Sequence, residues 1–420
     1  MTKITPPTSR LRALAAFLIG CAFFIYAFMH RVAPSVMTED LMRDFAVGGS
    51  ALGVLSAMYF YAYVALQIPV GVLIDRFGPR RLMSGALLVC ACASLSMASS
   101  DTLLTASISR LLIGGSVAFA FVGTLTLLTF WFDANRFATY AGLLQSAGML
   151  GAMLGQAPLR LVVEAISWRG AITVLAVTGF ALAVLAYTVI PRRTAADRDV
   201  KTTKVPDAGI GNILKQRRNW LCAFTGFGMA APMLGFAALW AVPWLTTVRG
   251  FSQTQSAGIA SMVFMGWLAG APVCGWISDR LGRRLPVVLA GSILSLSTFV
   301  IILLFDSAGT TALTALFFIN GLGGCTMVVC FSVMREYNAH HNTAASLGML
   351  NTLVVGSGAV MQPLIGWLLD RRWDGTIIEG ARLYRAGNYQ SAFLVLIFAG
   401  VMALVCCLLL KETHCRNLEP

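Results

Sequence analysis

Charged residues are scarce in this chain of 420 residues. Asp, Glu, Lys and Arg together make up 12% of it, whereas apolar residues make up 57%. A typical soluble protein carries about twice that share of charge. A soluble chain with so few polar groups could not cover its own surface, which argues against a single globular enzyme domain. We therefore predict a protein that lies within a lipid bilayer.

Other absences exclude further functional classes. None of the five lysines follows a glycine, so the Gly-Lys-Ser/Thr element of an ATP-driven pump is missing. The ten cysteines lie mostly inside apolar runs without a Cys-x-x-Cys or His-rich pattern, so we expect no metal site, no disulfide and no cofactor. The net charge of +13 does not indicate nucleic-acid binding, because the basic residues form short clusters between apolar runs.

Twelve apolar runs are long enough to cross a bilayer, which takes about 20 residues of helix. The first run follows Lys3, Arg10 and Arg12, and we interpret it as an uncleaved span, not a signal peptide. The short gap between the third and fourth runs predicts a tight hairpin. We number the predicted helices spans 1 to 12, at 13–36, 51–73, 82–100, 103–128, 138–163, 171–190, 220–245, 254–278, 285–305, 310–334, 344–369 and 389–410.

The distribution of Lys and Arg predicts the orientation of the chain. With the N-terminus inside, 21 of the 31 basic residues lie in inner segments and 7 in outer segments. Because inner loops carry the excess of positive charge, we expect both termini in the cytoplasm and the protein in the inner, or plasma, membrane.

The sequence divides into two similar halves. A polar, basic stretch at 191–219 is predicted to link an N-terminal bundle at 1–190 to a C-terminal bundle at 220–420. A ten-residue motif after span 2 recurs after span 8 at an offset of 204. A second repeat, at offset 206, pairs Gln145 with Asn351 and Gln156 with Gln362. The fold class is thus an all-α membrane protein with twelve helices in two pseudo-symmetric six-helix bundles.

The ten-residue motif lies at a predicted cytoplasmic turn in each half. Its aspartate can pair with a helix N-terminus or a basic group, and its arginines with acids or lipid phosphates. We interpret it as a gating motif that holds the two halves together and releases them as the protein changes state, although a basic loop that only fixes topology would look similar. Its residues are Gly71, Asp75, Arg76, Gly78 and Arg80, repeated as Gly275, Asp279, Arg280, Gly282 and Arg284.

These motifs give the chain a resemblance to transporters of the major facilitator superfamily. The resemblance covers essentially the whole chain: twelve spans, two halves, the motif twice, and Arg110 opening Arg110-Leu-Leu-Ile-Gly-Gly115 in span 4. It implies alternating access, in which two six-helix bundles rock around a site near mid-membrane.

The basic residues inside spans are the first candidates for substrate contact. No acid lies in the body of a predicted span, whereas Arg31, Arg110 and Arg160 do lie in spans. A buried cation is costly, and a planar guanidinium suits a carboxylate or phosphate. We expect Arg31 to contact substrate. Arg110 could contact substrate or be structural, and Arg160 is expected to reach the outer interface or backbone carbonyls.

A finer resemblance concerns span 1. The run Tyr26-Ala-Phe-Met-His30-Arg31-Val-Ala-Pro34-Ser is similar to the anion:cation symporter branch of the superfamily, which includes sugar-acid importers. In some members an acid precedes the arginine, where this chain has His30. Histidine titrates near pH 6.5, so His30 is a candidate proton carrier, although a packed neutral ring is an equal alternative. Neighbouring helix residues point about 100° apart, so His30 and Arg31 cannot both face a cavity squarely.

Aromatic and amide side chains complete the predicted cavity. Such groups orient a polar solute, but they also serve as interhelical hydrogen bonds or as an aromatic belt at the membrane surface. Pro243 predicts a break near the outer end of span 7 that could act as a gate. The candidates besides the arginines are Tyr26, Tyr59, Tyr63, Gln145, Trp240, Asn320 and Asn351.

The sequence thus predicts a secondary transporter, not an enzyme, which takes up a small carboxylate-type anion by proton symport and works as a monomer. Span arginines without buried acids favour an anionic over a cationic substrate. The alternative is a proton-coupled efflux antiporter. Such antiporters usually carry Gly-Pro-x-x-Gly-Gly late in span 5, where this chain has Gly151-Ala-Met-Leu-Gly155-Gln-Ala-Pro158.

Overall fold

The computed structural model describes residues 10–131, 137–191, 210–304, 309–339 and 343–418, and these are almost entirely helical. Two short helices, Thr38–Asp44 and Ile210–Lys215, and an antiparallel hairpin of Ile377–Ile378 with Ala381–Arg382 lie outside the spans. In chain order the spans comprise Arg10–Val32 with Ala33–Val36, Gly49–Phe77, Pro79–Ala98, Leu103–Trp131, Phe137–Leu154 with Ala157–Val189 (spans 5 and 6), Arg217–Ala231 with Pro232–Trp240 and Ala241–Arg249, Gln253–Leu281, Leu285–Leu304, Thr310–Gly324 with Cys325–Met327 and Val328–Tyr337, Thr343–Arg371, and Ala386–Leu408.

The structure confirms an all-helical membrane protein. Within the described residues, eleven helical stretches are long and apolar enough to cross a bilayer. One of them, Thr139–Val189, has 51 residues, about twice the length of one crossing, and it contains spans 5 and 6. The predicted hairpin between spans 3 and 4 is also present, since the helices end at Ala98 and resume at Leu103.

Two junctions differ from the sequence prediction. No loop separates spans 5 and 6; the helix direction changes at Ile166 and Ser167, where Ser167 has a φ of 70°. Span 7 is irregular at Pro232–Trp240, a π-helical segment, and not at Pro243, which lies in the first turn of Ala241–Arg249. Proline cannot donate the backbone hydrogen bond that would continue an α-helix, and π-helical segments often occur at functional sites.

The bundle has two distinct ends. At the end we call the tail end, the C-terminal tail covers the turn between spans 8 and 9, where the Glu412 carboxylate accepts backbone hydrogen bonds from Arg284 and Leu285, both at 2.9 Å. At the opposite end, which we call the hairpin end, the strand Ala381–Arg382 packs on the helix Thr38–Asp44.

The N-terminal half (spans 1–6) and the C-terminal half (spans 7–12) contact each other closely at the hairpin end. Span 2 packs on span 11 so tightly that a Cβ atom added at Gly53 would lie 2.5 Å from the backbone oxygen of Gln362. The Asp370 carboxylate accepts hydrogen bonds from the backbone nitrogens of Gly49 (3.1 Å) and Ser50 (2.8 Å) and so caps the N-terminus of span 2 from the other half. The hairpin end is therefore closed.

Candidate functional site

A cavity of about 490 Å³ lies between the two halves, on the tail side of these contacts. Its wall comes from spans 1, 2, 4 and 5 of one half and from spans 7, 8, 10 and 11 of the other. The lining residues are Phe24, Phe28, Arg31, Tyr63, Gln67, Phe121, Val122, Leu125, Ala141, Gln145, Met149, Met233, Leu234, Trp267, Met327, Val328, Phe331, Leu347, Gly348, Asn351, Val354 and Val355. A cavity of this size between the halves is the expected position for a solute site in this type of fold.

Arg31 supplies the charge of this cavity. The residue is only 5% exposed, and its guanidinium lies over the ring of Phe28 at 4.0 Å and that of Tyr63 at 5.1 Å. No Asp or Glu of the described residues forms an ion pair with it, and its Nε atom has no hydrogen-bond partner. The aromatic rings hold the cation by cation–π attraction, and the hydroxyls of Tyr59 and Tyr63 interact with it by hydrogen bonding, which leaves its Nε without an acceptor.

Arg110 occupies a different position. Its NH1 donates to the backbone oxygen of His30 at 2.7 Å and its NH2 to that of Ser56 at 3.4 Å, so the side chain joins spans 1, 2 and 4. It is fully buried and does not line the cavity. The sequence left open whether Arg110 contacts substrate or is structural. In this conformation its hydrogen bonds to backbone oxygens are those of a structural residue.

Arg160 lies at the hairpin end, as expected for an interfacial arginine. Its guanidinium donates to the backbone oxygen of Val36 at 2.9 Å and pairs with Glu164 at 3.1 Å and Asp40 at 3.4 Å. These contacts hold the end of span 1 in place, and Arg160 does not line the cavity.

The three candidate tyrosines are distributed around the two arginines. Tyr63 lines the cavity and stacks on Tyr59, with ring centroids 6.2 Å apart. Tyr59 lies between Arg31 and Arg110 and donates its hydroxyl to the backbone oxygen of Ala27 at 3.0 Å. The close approach of span 4 to span 2 at Tyr59 requires a glycine, because a Cβ atom at Gly114 of span 4 would overlap the backbone oxygen of Tyr59.

Tyr26 lies inside the N-terminal half and outside the cavity wall. Its ring meets that of His30 edge-on at 4.6 Å, and its hydroxyl faces Gly179 of span 6, where an added Cβ atom would lie 2.5 Å away. Tyr26 therefore fixes the packing around His30 and does not reach the cavity in this conformation.

The amides fall into two groups. Gln145 and Asn351, which are equivalent by the offset of 206, both line the cavity, one from each half. Asn320 instead donates to the backbone oxygen of Ser295 at 2.9 Å between spans 9 and 10, and Trp240 donates its indole N–H to the backbone oxygen of Gln362 at 3.0 Å. Asn320 and Trp240 are packing residues of the C-terminal half here.

His30 is fully buried within the N-terminal half. Its Nε2 lies 3.5 Å from the Ser94 hydroxyl, and its Nδ1 has no hydrogen-bond partner. Only its neighbour Arg31 lines the cavity. The helical angle between adjacent residues accounts for this separation.

A second pair of amides lies at the closed end. Gln156 donates to the backbone oxygen of Ala237 at 3.1 Å, and Gln362 donates to that of Leu234 at 2.8 Å. Both acceptors belong to the π-helical segment of span 7. The bond from Gln156 crosses between the halves, so this pair helps to close the cavity at the hairpin end.

In the C-terminal half, the gating motif forms a polar cluster. Arg284 donates to the Glu336 carboxylate at the end of span 10 at 2.9 Å and also pairs with Asp279. The Thr413 hydroxyl of the C-terminal tail donates to the same Glu336 at 2.5 Å. These contacts join spans 8, 9 and 10 and the tail within one half, and none of them reaches the other half.

The motif glycines fall into two groups. Gly78 (φ 82°) and Gly282 (φ 61°) end spans 2 and 8 with a positive φ that other residues rarely adopt. Gly71 and Gly275, by contrast, have no neighbour within 4 Å of an added Cβ atom.

The motif arginines of the N-terminal half lie against aromatic rings. Arg80 lies over Tyr187 at 4.5 Å, and Arg76 over Phe77 at 5.2 Å. Arg280 is the equivalent of Arg76, and it lies over the ring of Trp276 at the same distance, 5.2 Å. The side chain of Asp75 lies outside the described residues.

Sequence reasoning missed several large side chains of the cavity wall, notably Trp267, Met327 and Phe331. A signal for one of them exists in the repeats. Trp267 is the equivalent of the candidate Tyr63 at offset 204, so projecting Tyr63 onto the other half would have identified it. Phe331 is the equivalent of Leu125 at offset 206, which was not itself a candidate.

Comparisons with known proteins agree with this architecture. A bacterial homologue of the human lysosomal transporter Spinster, solved in an inward-facing and occupied conformation, superposes with a TM-score of 0.79 over 96% of this chain and 97% of that one, at 14% identity. The inward-facing, unoccupied structure of such a homologue gives a TM-score of 0.78. At this identity the likeness concerns the fold alone.

Related sequences are transporters by name. A probable sulfoacetate transporter of Cupriavidus necator is 24% identical, and the match covers 90% of this chain and 92% of the relative. A gentisate transporter of Corynebacterium glutamicum is 22% identical over 85% of this chain and 81% of its own. A probable L-galactonate transporter of Escherichia coli is 23% identical, with coverages of 86% and 84%.

The family model of the Major Facilitator Superfamily matches residues 19–358 and 242–418, which together span nearly the whole chain. This match agrees with the all-helical membrane fold. The chain is therefore not an enzyme but a multi-pass membrane transporter, and it belongs to the Major Facilitator Superfamily.

Proposed function

We propose that this protein carries a small carboxylate-type organic anion through the central cavity by alternating access, as proton-coupled uptake across the inner membrane. The observation that carries the proposal is Arg31: a buried cation in the cavity wall that forms no ion pair with an acid of the described residues. A single chain encloses the cavity, so a monomer suffices.

The electrostatics of Arg31 favour an anion. A buried cation without an acidic partner is costly, and a carboxylate in the cavity would offset that cost through charge-assisted hydrogen bonds. A cationic substrate would meet repulsion from the same group. The names of the relatives, which include transporters of sulfoacetate, gentisate and L-galactonate, support the same substrate class.

The conformation fits the release step of uptake. With both termini in the cytoplasm, the tail end faces inward and the closed hairpin end faces outward. The cavity then communicates with the cytoplasm while Gln156, Asp370 and the contact of Gly53 with Gln362 seal the outer side.

Our candidate for the coupling proton is His30. It is an imidazole buried within a span, adjacent in sequence to Arg31, and its Nδ1 has no hydrogen-bond partner. Protonation there would act on the cavity through the backbone of span 1, whose His30 oxygen is held by Arg110.

The test is transport in proteoliposomes of defined orientation. Sulfoacetate, gentisate and L-galactonate are offered outside with an inward proton gradient, and the wild type is compared with Arg31→Gln, Arg31→Lys and the tail variant Arg416→Gln, whose residue is exposed. We expect at least a tenfold loss of uptake in Arg31→Gln, partial activity in Arg31→Lys and normal uptake in Arg416→Gln. Uptake that persists in Arg31→Gln would overturn the anion site.

Direction and coupling are tested by reversing the gradient. Accumulation driven by an inward proton gradient, and its loss in His30→Gln with retained anion exchange, is the expected result for symport through His30. Accumulation only under an outward-directed proton gradient, in which the substrate moves against the proton flow, would instead identify the efflux antiporter.

A further inference from the structure

The cavity wall is chemically different in its two halves. Among the described residues, eleven of each half line the cavity. Of these, the N-terminal half supplies the cation and three of the four neutral polar side chains, Tyr63, Gln67 and Gln145, whereas the C-terminal half supplies Asn351 and an indole. The polar groups of the wall therefore lie mostly on the N-terminal half, which also contributes apolar residues such as Phe24, Phe28 and Phe121, whereas the wall from the C-terminal half is almost wholly apolar.

The C-terminal side is built from large, adaptable apolar groups. Trp267, Met327 and Phe331 lie there together with Met233 and Leu234. Methionines fit irregular apolar shapes and make favourable contacts with aromatic rings, and an indole or phenyl face suits a planar apolar body. Such a surface gains binding energy by removing apolar area of a ligand from water.

The charge of the wall limits the number of carboxylates that a ligand can carry. Among the described residues that line the cavity, Arg31 alone is charged. A dicarboxylate would place its second charge against apolar groups, where a buried ion without a partner is costly.

The number of neutral polar side chains in the wall likewise limits how many hydroxyl groups a ligand can carry. A hexonate such as gluconate carries five hydroxyls, each of which donates one hydrogen bond and accepts up to two. Four neutral polar side chains, three of them in one half, cannot replace the water around so many hydroxyls. Each unpaired hydroxyl would lower the affinity.

We infer that the preferred substrate is an amphipathic monocarboxylate: an acid with a single carboxylate, held by Arg31, and an apolar or aromatic body that packs on Trp267 and Phe331. This inference rests on the proposed function and narrows it. The ligand spans the two halves, with its charge on the N-terminal half and its body on the C-terminal half.

The experiment measures dissociation constants for the purified full-length protein in detergent by isothermal titration calorimetry. The probes are 3-phenylpropanoate, benzoate and 4-methylpentanoate as amphipathic acids, 3-phenylpropanamide as the neutral match of the first, gluconate as a polyhydroxy acid and succinate as a dicarboxylate. We expect at least one amphipathic acid to bind ten or more times more tightly than gluconate and succinate, and 3-phenylpropanoate to bind at least ten times more tightly than its amide.

Two variants test the apolar side of the wall. Phe331→Ala is expected to weaken 3-phenylpropanoate fivefold or more and to leave the affinity for gluconate unchanged. Phe398→Ala is the matched control, because Phe398 lies on the outer surface of span 12, 69% exposed, and its removal is expected to change neither affinity.

The outcomes separate this inference from the proposed function. Tighter binding of gluconate or succinate that disappears in Arg31→Gln would overturn the amphipathic substrate and keep the anion transporter. Equal binding of acid and amide, unchanged in Arg31→Gln, would overturn the proposed function itself. Failure of all three amphipathic acids to bind a protein whose melting curve shows that it is folded would also overturn the inference.

Discussion

At the scale of single residues, two buried arginines on either side of Tyr59 have different tasks. Arg31 lies over Tyr59 at 5.5 Å and lines the cavity, whereas Arg110 lies over it at 5.2 Å and donates to backbone oxygens. Both arginines are buried, so burial alone does not distinguish them. They differ in whether backbone oxygens of the protein accept hydrogen bonds from the guanidinium.

This difference predicts unequal effects of the same substitution. Arg110→Gln leaves the backbone oxygens of His30 and Ser56 without their donor, so we expect a loss of about 1–3 kcal/mol in the free energy of unfolding. Arg31→Gln is expected to change stability less, because it breaks no hydrogen bond to a backbone oxygen, and the cation–π contacts that it removes offset the cost of burying the charge. Thermal melts of both variants in detergent provide the measurement, and an equally stable Arg110→Gln variant would contradict the structural role.

The sequence anticipated Arg31, Tyr63, Gln145 and Asn351 as cavity residues, because polar groups in apolar spans are rare and costly. It could not separate them from Asn320 and the others that pack inside one half. Whether a buried amide faces a cavity or a neighbouring carbonyl depends on the rotation and depth of each helix, which sequence periodicity does not determine.

At the scale of elements, the short helix Thr38–Asp44 connects the two halves at the hairpin end. Its Glu39 accepts a hydrogen bond from the side chain of Gln253 in span 8 at 2.6 Å. Burial raises the pKa of Glu39, the neighbouring Asp40 and Glu379 add to this, and Arg160 and the Gln253 amide act against it. The net result is a carboxyl group that binds its proton more tightly when the hairpin end is closed.

The pH dependence follows from this direction. The pKa of Glu39 in the folded protein is raised above the value of about 4.3 for an unfolded chain. Its contribution to the stability of the folded protein is therefore fully present below about pH 4.3 and is lost as the pH rises through the raised pKa. We expect the melting temperature of Glu39→Gln, which keeps the neutral form, to fall less than that of the wild type between pH 4 and 8. Parallel curves for the two proteins would contradict it.

The elements also show what a sequence can and cannot give. Span positions followed from apolar runs, but the π-helical segment Pro232–Trp240 and the turn at Ser167 did not. The π-helical segment involves hydrogen bonds with distant residues: the carbonyl oxygens of Leu234 and Ala237 accept from Gln362 and Gln156. The repeat marked these glutamines as equivalent, but it did not reveal their common partner.

At the scale of the whole molecule, glycines at the two ends are in opposite situations. At the hairpin end, Gly53 and Gly366 lie against the backbone of the opposite half, whereas Gly71 and Gly275 near the tail end have no neighbour within 4 Å of an added Cβ atom. Helices approach most closely where glycines meet. We interpret the uncovered pair as surfaces that come together when the tail end closes.

Substitutions at the two ends should therefore bias the molecule in opposite directions. Gly53→Ala places a Cβ atom 2.5 Å from the Gln362 backbone oxygen, and overpacking of this kind costs about 1–3 kcal/mol. We expect faster hydrogen–deuterium exchange at the start of span 2 and the end of span 11. Gly71→Leu should leave this exchange unchanged and abolish transport, because it obstructs closure of the tail end.

Two results would contradict the predictions for Gly53→Ala and Gly71→Leu. Unchanged exchange and transport in Gly53→Ala would mean that the halves tolerate the added carbon. Normal transport in Gly71→Leu would mean that the tail end closes without bringing span 2 to the other half.

The isolated positive charge of Arg31 also makes the cavity respond to membrane voltage. Without ligand, the cavity carries a charge that changes its exposure from one side to the other, and a full charge crossing 100 mV is worth about 2.3 kcal/mol. With a monoanion bound and His30 neutral, the pair of Arg31 and anion carries no net charge, and the same movement is nearly insensitive to voltage. Exchange of one anion for another would then be electrically silent, whereas net transport, which requires the return of the empty carrier, would follow the membrane potential.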